Sequence, residues 1–238
     1  MMMASDTFLR SIPVFAPLSE DMKEQLQLIV QYKTITKGDV LFRESEQARA
    51  LYFIHEGKVK LTKSSKDGKE IVLCLRQAKD LFAEVALFCN KDKTYPATAT
   101  VIESGAVSLI KNEDLEKHLT HHPELVFPLF QIMAERLRTA QTTLRDVALY
   151  SKLSALCATL LRLADDYGLE HHNGVYVDVK LTHEELGNFF GATRESVTRM
   201  MNQLKNKGII SQEKGRLIIH NFKTLRSYAQ REHPENVN

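Results

Sequence analysis

From Tyr32 to Ile110 apolar and polar residues alternate with a period of two, in short runs such as Leu51–Ile54, Val59–Thr62, Ile71–Leu75 and Ala106–Ile110. Successive side chains of a strand point to opposite faces, so the pattern predicts many short, half-buried strands in an antiparallel sandwich or roll. Asp67-Gly68, between two of the runs, predicts a hairpin, and Lys37-Gly38-Asp39 and Glu56-Gly57-Lys58 predict further turns.

Beyond Pro123 the period changes. Phe130, Met133, Leu137, Ala140, Leu144 and Val147 recur at alternating spacings of three and four, which predicts a helix with one apolar seam. Pro123 is expected to open that helix in its first turn, and Pro128 to kink it or delay its regular start. A seam of about two and a half heptads fits either a partner helix in a homodimer or packing on the helix's own domain. Leu153, Leu156, Cys157, Leu160, Leu161 and Leu163 then predict another helix, packed beneath the segment that follows.

That segment, Leu181–Leu204, reads as two short helices meeting at Gly191. Thr182 is placed to cap the first, with Glu185 three residues later completing a capping box and Leu186, Phe189 and Phe190 on the buried side. Thr193 is placed to cap the second, whose Val197, Met200, Met201 and Leu204 form the apolar stripe, and Gly208 ends it. Left outside, at the end a helix-turn-helix pushes into the major groove, are Arg194, Glu195, Ser196, Thr198 and Arg199. An arginine fork matches O6 and N7 of guanine, and a carboxylate accepts from the N4 amino group of cytosine, so G·C pairs are the expected targets. The bland alternative is a surface ion pair between Glu195 and Arg199. Charge favours the DNA reading, because residues 193–226 hold eight Lys/Arg against two Asp/Glu, whereas the whole chain carries only +2. Thr182, Thr193, Lys205, Lys214 and Arg216 are the expected contacts to the phosphate backbone, which position a protein without specifying sequence. One recognition helix reads few bases, whereas two related by a twofold axis read a palindrome with half-sites about 34 Å apart.

Composition narrows the rest. At 238 residues, 43% hydrophobic and 26% charged, the chain has the make-up of a soluble globular protein with room for two domains. No stretch approaches the roughly 18 apolar residues of a membrane span and no leader pattern opens the chain, so a cytoplasmic protein without membrane contact is expected. Three cysteines, Cys74, Cys89 and Cys157, without CxxC spacing imply neither a disulfide framework nor a zinc ribbon. His118, His121, His122, His171 and His172 lack a carboxylate–histidine framework and read as solvated helix ends, so no metal is assigned. No nucleophile elbow, phosphate loop or HExxH motif is present, and an enzyme is not expected.

The order of these parts resembles the family of the catabolite activator protein and the fumarate and nitrate reduction regulator, the CRP/FNR family, over nearly the whole chain. Its most specific segment is Arg194–Arg199, similar to the recognition helix in which Arg, Glu and Arg at these places read a TGTGA half-site. The resemblance implies an α+β fold of three parts. Residues 1–122 would form a cyclic-nucleotide-binding-domain-like antiparallel β-roll, 123–150 a long dimerisation helix and 151–238 a winged helix-turn-helix. The wing would run from Ile209 to His220 and turn at Lys214-Gly215-Arg216. It further implies a transcription regulator acting as a homodimer on double-stranded DNA at a TGTGA-N6-TCACA-like palindrome, contacting or blocking RNA polymerase.

The sensor half departs from the family. Cyclic-nucleotide-binding members hold ribose and cyclic phosphate with a Gly-Glu pair and, later, an Arg-Ser/Thr-Ala segment. Here Glu84, Thr98 and Ala99 match and mark a candidate effector pocket, but the glycine is Ala83 and the arginine position aligns with Ala97. The bidentate phosphate contact of a guanidinium is therefore missing, with only Lys91 or Lys93 in the loop as a partial substitute. An iron–sulfur cluster is not expected either. Three scattered cysteines do not make the usual four-ligand set, and the tail Arg231–Asn238 lacks the cysteines found there in the similar Fnr-type regulators of bacilli. No cofactor is assigned and the effector is open. Cys89, near Lys91 and Lys93, is the candidate for a redox switch. Two alternatives stay open: a redox- or small-molecule-responsive regulator of the same family, and a winged helix that binds protein instead of DNA.

Overall fold

The computed structural model describes residues 12, 15, 18–88, 93–123 and 126–230, and the chain divides into two units, residues 1–138 and 139–238. In the first, Ser19 caps helix α1 (Glu20–Ile29) by accepting from the Met22 N–H, and α1 buries Met22 and Leu26. Strands β1 (Gln31–Ile35), β2 (Val40–Phe42), β3 (Ala50–Ser64), β4 (Glu70–Arg76) and β5 (Leu81–Phe82) follow. After them come the short helix α2 (Val85–Phe88) and strand β6 (Thr98–Lys111). All pair antiparallel in the order β1-β6-β3-β4, with β2 also on β6 and β5 on β3. Alternation along β3 feeds two apolar clusters. Leu51 and Phe53 join Leu26, Leu81, Ile110 and Leu115, whereas Ile54 and Val59 join Ile35, Phe82, Ala99 and Val107.

Two predicted turns form as read: Gly38 (φ +97°) lies between β1 and β2, and Gly68 (φ +81°) between β3 and β4. Glu56-Gly57-Lys58 is a correction. It is no turn but a bulge inside the 15-residue β3, where the register with β6 shifts on either side of Glu56. Gly57 sits at φ +90°, and a Cβ there would lie 2.5 Å from the Glu103 carbonyl oxygen. Glycine within a strand lets two backbones approach and the strand bend while continuing.

Helix α3 (Asn112–His121) follows β6, and its His118 and His121 donate from Nδ1 to the carbonyls of Asp114 and Lys117, at 2.9 and 2.7 Å. The long helix α4 is described over Val126–Leu149, and the expected opening at Pro123 involves residues 124–125, which lie outside the described residues. Pro128 falls in its first turn, where a missing N–H leaves no hydrogen bond unmade. Leu129 and Ile132 pack α4 onto the first cluster. The seam lies on a different stripe: Phe130, Leu137 and Leu144 are 66%, 60% and 69% exposed, Ala140 is exposed, and Met133 and Val147 are half-buried.

In the second unit, Ser151 caps helix α5 (Lys152–Tyr167), which buries Leu156, Cys157, Leu160 and Leu163. Near the end of α4, the buried Asp146 binds Arg162 of α5 at 2.6 Å and its neighbour Arg145 at 2.8 Å. Strands β7 (Gly168–His171) and β8 (Gly174–Val177) precede helices α6 (His183–Gly187) and α7 (Arg194–Asn206). Strands β9 (Ile210–Glu213) and β10 (Arg216–Ile219) and helix α8 (Phe222–Ala229) complete the unit. The strands form one sheet in the order β7-β8-β10-β9. The β7–β8 hairpin escapes the sequence reading, because Gly168–His171 is short, polar and mostly exposed and its histidines draw attention as a pair.

Candidate nucleic-acid interface

Helices α6 and α7 are set by local chemistry. The Thr182 hydroxyl accepts from the Glu185 N–H at 3.1 Å while the Glu185 carboxylate accepts from the Thr182 N–H at 2.8 Å, so the capping box is complete. Gly191, at φ +63°, makes the turn, and Thr193 caps α7 by accepting from the Ser196 N–H at 3.3 Å. Lys152 Nζ of α5 donates to the Phe190 carbonyl at 2.8 Å and braces that turn. Gly187 is a residue that the sequence reading misses. A Cβ at this position would lie 2.3 Å from the Ala192 carbonyl oxygen, so glycine alone lets α6 sit this close to the turn. Its signal is a glycine inside a helical pattern, a position that costs helix stability unless packing needs it.

Helix α7 buries Val197, Met200, Met201 and Leu204 and exposes Arg194, Glu195 and Arg199, with Ser196 and Thr198 half-buried beside them. The five predicted base-reading residues thus share one side of one helix. The Glu195 carboxyl is held below the ordinary carboxylate range by its own backbone N–H, the Thr193 hydroxyl and the nearby Arg194. Arg199 is not among its partners.

The wing strands β9 and β10 are joined by Lys214 (φ +49°) and Gly215 (φ +82°), both left-handed as a two-residue hairpin turn requires. Lys214 is exposed at the tip. Lys205 Nζ donates to Gln212 Oε1 of β9 at 2.7 Å, which ties α7 to the wing and leaves the ammonium charge uncancelled. Arg216 is placed differently from the other expected phosphate contacts. Its Nε lies 3.2 Å from Asp178 Oδ1, an ion pair off the hydrogen-bond line, and its guanidinium stands 6.0 Å from the Tyr176 ring centre. One contact has no sequence signal: His183 Nδ1 lies 2.8 Å from the Thr198 hydroxyl, bridging α6 to the reading face.

The matched sensor residues are each engaged within the protein. Glu84 is buried and forms an ion pair with Arg136 of α4, which also donates to the Leu81 carbonyl at 2.6 Å. The Thr98 hydroxyl accepts from the Glu44 N–H at 3.0 Å, and Ala99 is fully buried in the second cluster. Ala83 keeps a left-handed backbone (φ +74°) where the family pattern has glycine, and Ala97 is buried where that pattern has arginine. Lys93 pairs with Glu116 at 2.9 Å. Cys89, Lys91 and the tail 231–238 lie outside the described residues. These groups do not fit a cyclic phosphate: the Glu84 carboxylate is already paired with Arg136, and Ala97 supplies no guanidinium. The Cys74 thiol, within the field of Glu84 and Arg136, has its pKa pushed up by burial.

Comparison with known proteins agrees with this architecture. Residues 32–122 match the cyclic nucleotide-binding domain family and residues 154–228 the Crp-like helix-turn-helix domain family. The anaerobic regulatory protein of Bacillus subtilis is 37% identical over 210 residues, covering 88% of each chain. The CRP-like cAMP-activated global transcriptional regulator of Mycobacterium tuberculosis is 30% identical over 79% of this chain and 84% of its own. Among solved structures, FixK2 from Bradyrhizobium japonicum shares the fold, with a TM-score of 0.74 at 20% identity over 84% of this chain and 97% of that one.

Proposed function

Since the chain belongs to the CRP/FNR family of DNA-binding transcription regulators and is not an enzyme, we propose that it acts as a homodimer on a TGTGA-N6-TCACA-like palindrome. The observation that carries this reading is the joint exposure of Arg194, Glu195 and Arg199 on α7. Two guanidiniums suit guanines and the carboxylate between them suits the N4 amino group of cytosine. Lys205 and Lys214, with the caps Thr182 and Thr193, meet the phosphates, and Arg216 joins them where a phosphate takes the place of Asp178 as its partner.

The dimer forms along Phe130, Met133, Leu137, Ala140, Leu144 and Val147. Its support is that Phe130, Leu137 and Leu144 are large, apolar and exposed at heptad spacing, on a stripe other than the one that packs on the β-roll. The ligand-free protein binds DNA without a small-molecule signal and is regulated by abundance, supported by the internal Glu84–Arg136 pair and by Ala97. It works in the cytoplasm through contact with RNA polymerase or by blocking it. No helix among the described residues is long and apolar enough to cross a membrane.

Selection of bound duplexes from a random pool by purified protein tests the reading. Enrichment of two TGTGA-like half-sites in inverted repeat supports it. Enrichment of one unpaired half-site contradicts the homodimer, and enrichment of an unrelated sequence contradicts the roles of Arg194, Glu195 and Arg199.

A further inference from the structure

His183 is the first residue of α6, and its Nδ1 lies 2.8 Å from Thr198 Oγ1 on the neighbouring α7. That same hydroxyl lies 2.8 Å from the Arg194 carbonyl oxygen, four residues back along α7. A threonine hydroxyl has one proton and two acceptor sites, and a carbonyl has no proton to give. Both short contacts are satisfied only when Thr198 donates to Arg194 and His183 donates to Thr198 from Nδ1–H. The neutral imidazole therefore keeps its lone pair on Nε2, and protonation there leaves the Nδ1 bond intact.

This linkage does two things to the reading face. The back-bond and the His183 contact commit the Thr198 hydroxyl within the protein, which leaves its methyl as the group to offer a base, one that suits the C5-methyl of thymine. His183 also stands in a cationic surround. Arg194 and Lys205 act on it from α7, and on its own helix Glu185 is committed to the Thr182 capping box while Glu184 is exposed. With the duplex absent, burial first, and then Lys205 and Arg194, hold the imidazole below the ordinary histidine range. Phosphates arriving beside Thr182 and Lys205 offset that field and favour the imidazolium.

We propose that His183 is a positioning residue of the DNA-reading face, holding Thr198 so that its methyl group reads a thymine and taking up one proton when the duplex binds. The proposal rests on the assignment of α7 as the reading helix. The sign follows from linkage. A group whose pKa is higher in the complex than in the free protein makes binding tighter as pH falls through the complexed value, by at most about tenfold per pH unit for each half-site.

The test measures affinity between pH 5.5 and 8.5 for the duplex that wild-type protein enriches from a random pool, with wild type, H183N, T198S and T198V. Asparagine keeps a donor near the Nδ1 position but does not titrate, so H183N is expected to match wild type at pH 8.5 and to lose the rise toward pH 5.5. Equal pH slopes in H183N and wild type overturn the proton uptake. T198S, which keeps the hydroxyl and removes the methyl, is expected to lose roughly fourfold of preference at one thymine, the worth of one buried methyl. T198V, which keeps a methyl but has no hydroxyl to bond His183 or the Arg194 carbonyl, is expected to lose preference there as well, so that full preference in T198V overturns the positioning role of His183. Unchanged preference in T198S overturns the methyl reading. An enriched duplex with those negative results sinks this proposal alone, whereas a wild type that enriches nothing removes the DNA reading beneath it as well.

Discussion

Arg136 of the long helix α4 neutralises Glu84, the buried carboxylate at the end of β5, and reaches the Leu81 carbonyl at 2.6 Å with its other amino group. A carboxylate this buried needs a cation, and here α4 supplies it, at the position where the family resemblance places a ribose. The β-roll and the first half of α4 are thus fastened to each other by the protein's own charges.

Removing the cation leaves the carboxylate stranded. Arg136→Ala is expected to lower stability by about 3 kcal/mol, the range for breaking one partner of a buried pair, and Arg136→Ala combined with Glu84→Gln to recover part of it. Urea unfolding of the two variants checks this. Equal loss in the single and double variants would mean that Arg136 acts through packing alone.

On the reading face, specificity and attraction separate. Arg199→Ala is expected to cost about 1–3 kcal/mol per half-site and to relax the preference at one base pair. Lys214→Ala is expected to weaken binding to every sequence and reduce the magnitude of the salt slope by about 0.9 for each phosphate that the ammonium had neutralised. Salt titrations on matched and mismatched duplexes distinguish the two. A change of sequence preference in Lys214→Ala would remove the wing from the phosphate backbone.

Leu137 lies at the middle of the seam and is 60% exposed. Two copies pack per dimer, each worth about 1.5–3 kcal/mol when buried, so Leu137→Ala is expected to weaken dimerisation by about 3–6 kcal/mol. Sedimentation should show dissociation at concentrations where wild type stays paired, and operator affinity should fall with it. A Leu137→Ala protein as dimeric as wild type would place the interface elsewhere.

Burial pushes the Cys157 thiol up to about 12, from an ordinary 9.0. The folded protein then holds this proton more tightly than the unfolded chain does. Stability is therefore full below about pH 9 and declines as pH rises toward about 12. Unfolding midpoints at pH 8 and pH 10 check the direction in wild type against Cys157→Ala. At pH 8, iodoacetamide is expected to spare Cys157 until the protein unfolds. Prompt labelling of the native protein would contradict its burial.

Much of the DNA-reading half is legible without coordinates, because caps and turns are local chemistry. Thr182 with Glu185, Gly191, Thr193 and the Lys214-Gly215 turn each specify a backbone conformation within a few residues. The β-roll strands follow from period two. Where the reading slips, distant backbone decides. Gly57 serves a bulge only because Glu103 and Gly105 of β6 press against it from across the sheet. The tie of Arg136 to Glu84 joins residues 52 apart, and the contact of His183 with Thr198 spans 15. No pattern in a single chain marks such pairs. Gly187 falls between these cases: a helical glycine is visible in the sequence, but its neighbour, the Ala192 carbonyl, is not.

The most direct test is the binding isotherm of ligand-free, reduced protein on a TGTGA-N6-TCACA duplex, with a scrambled duplex beside it and both repeated with saturating cyclic AMP. The expected result is at least about a thousandfold preference for the palindrome at physiological salt, the low end for specific DNA binding, and an isotherm that cyclic AMP leaves unchanged. Preference that emerges only with cyclic AMP would contradict the internal pairing of Glu84 with Arg136 as the substitute for an effector.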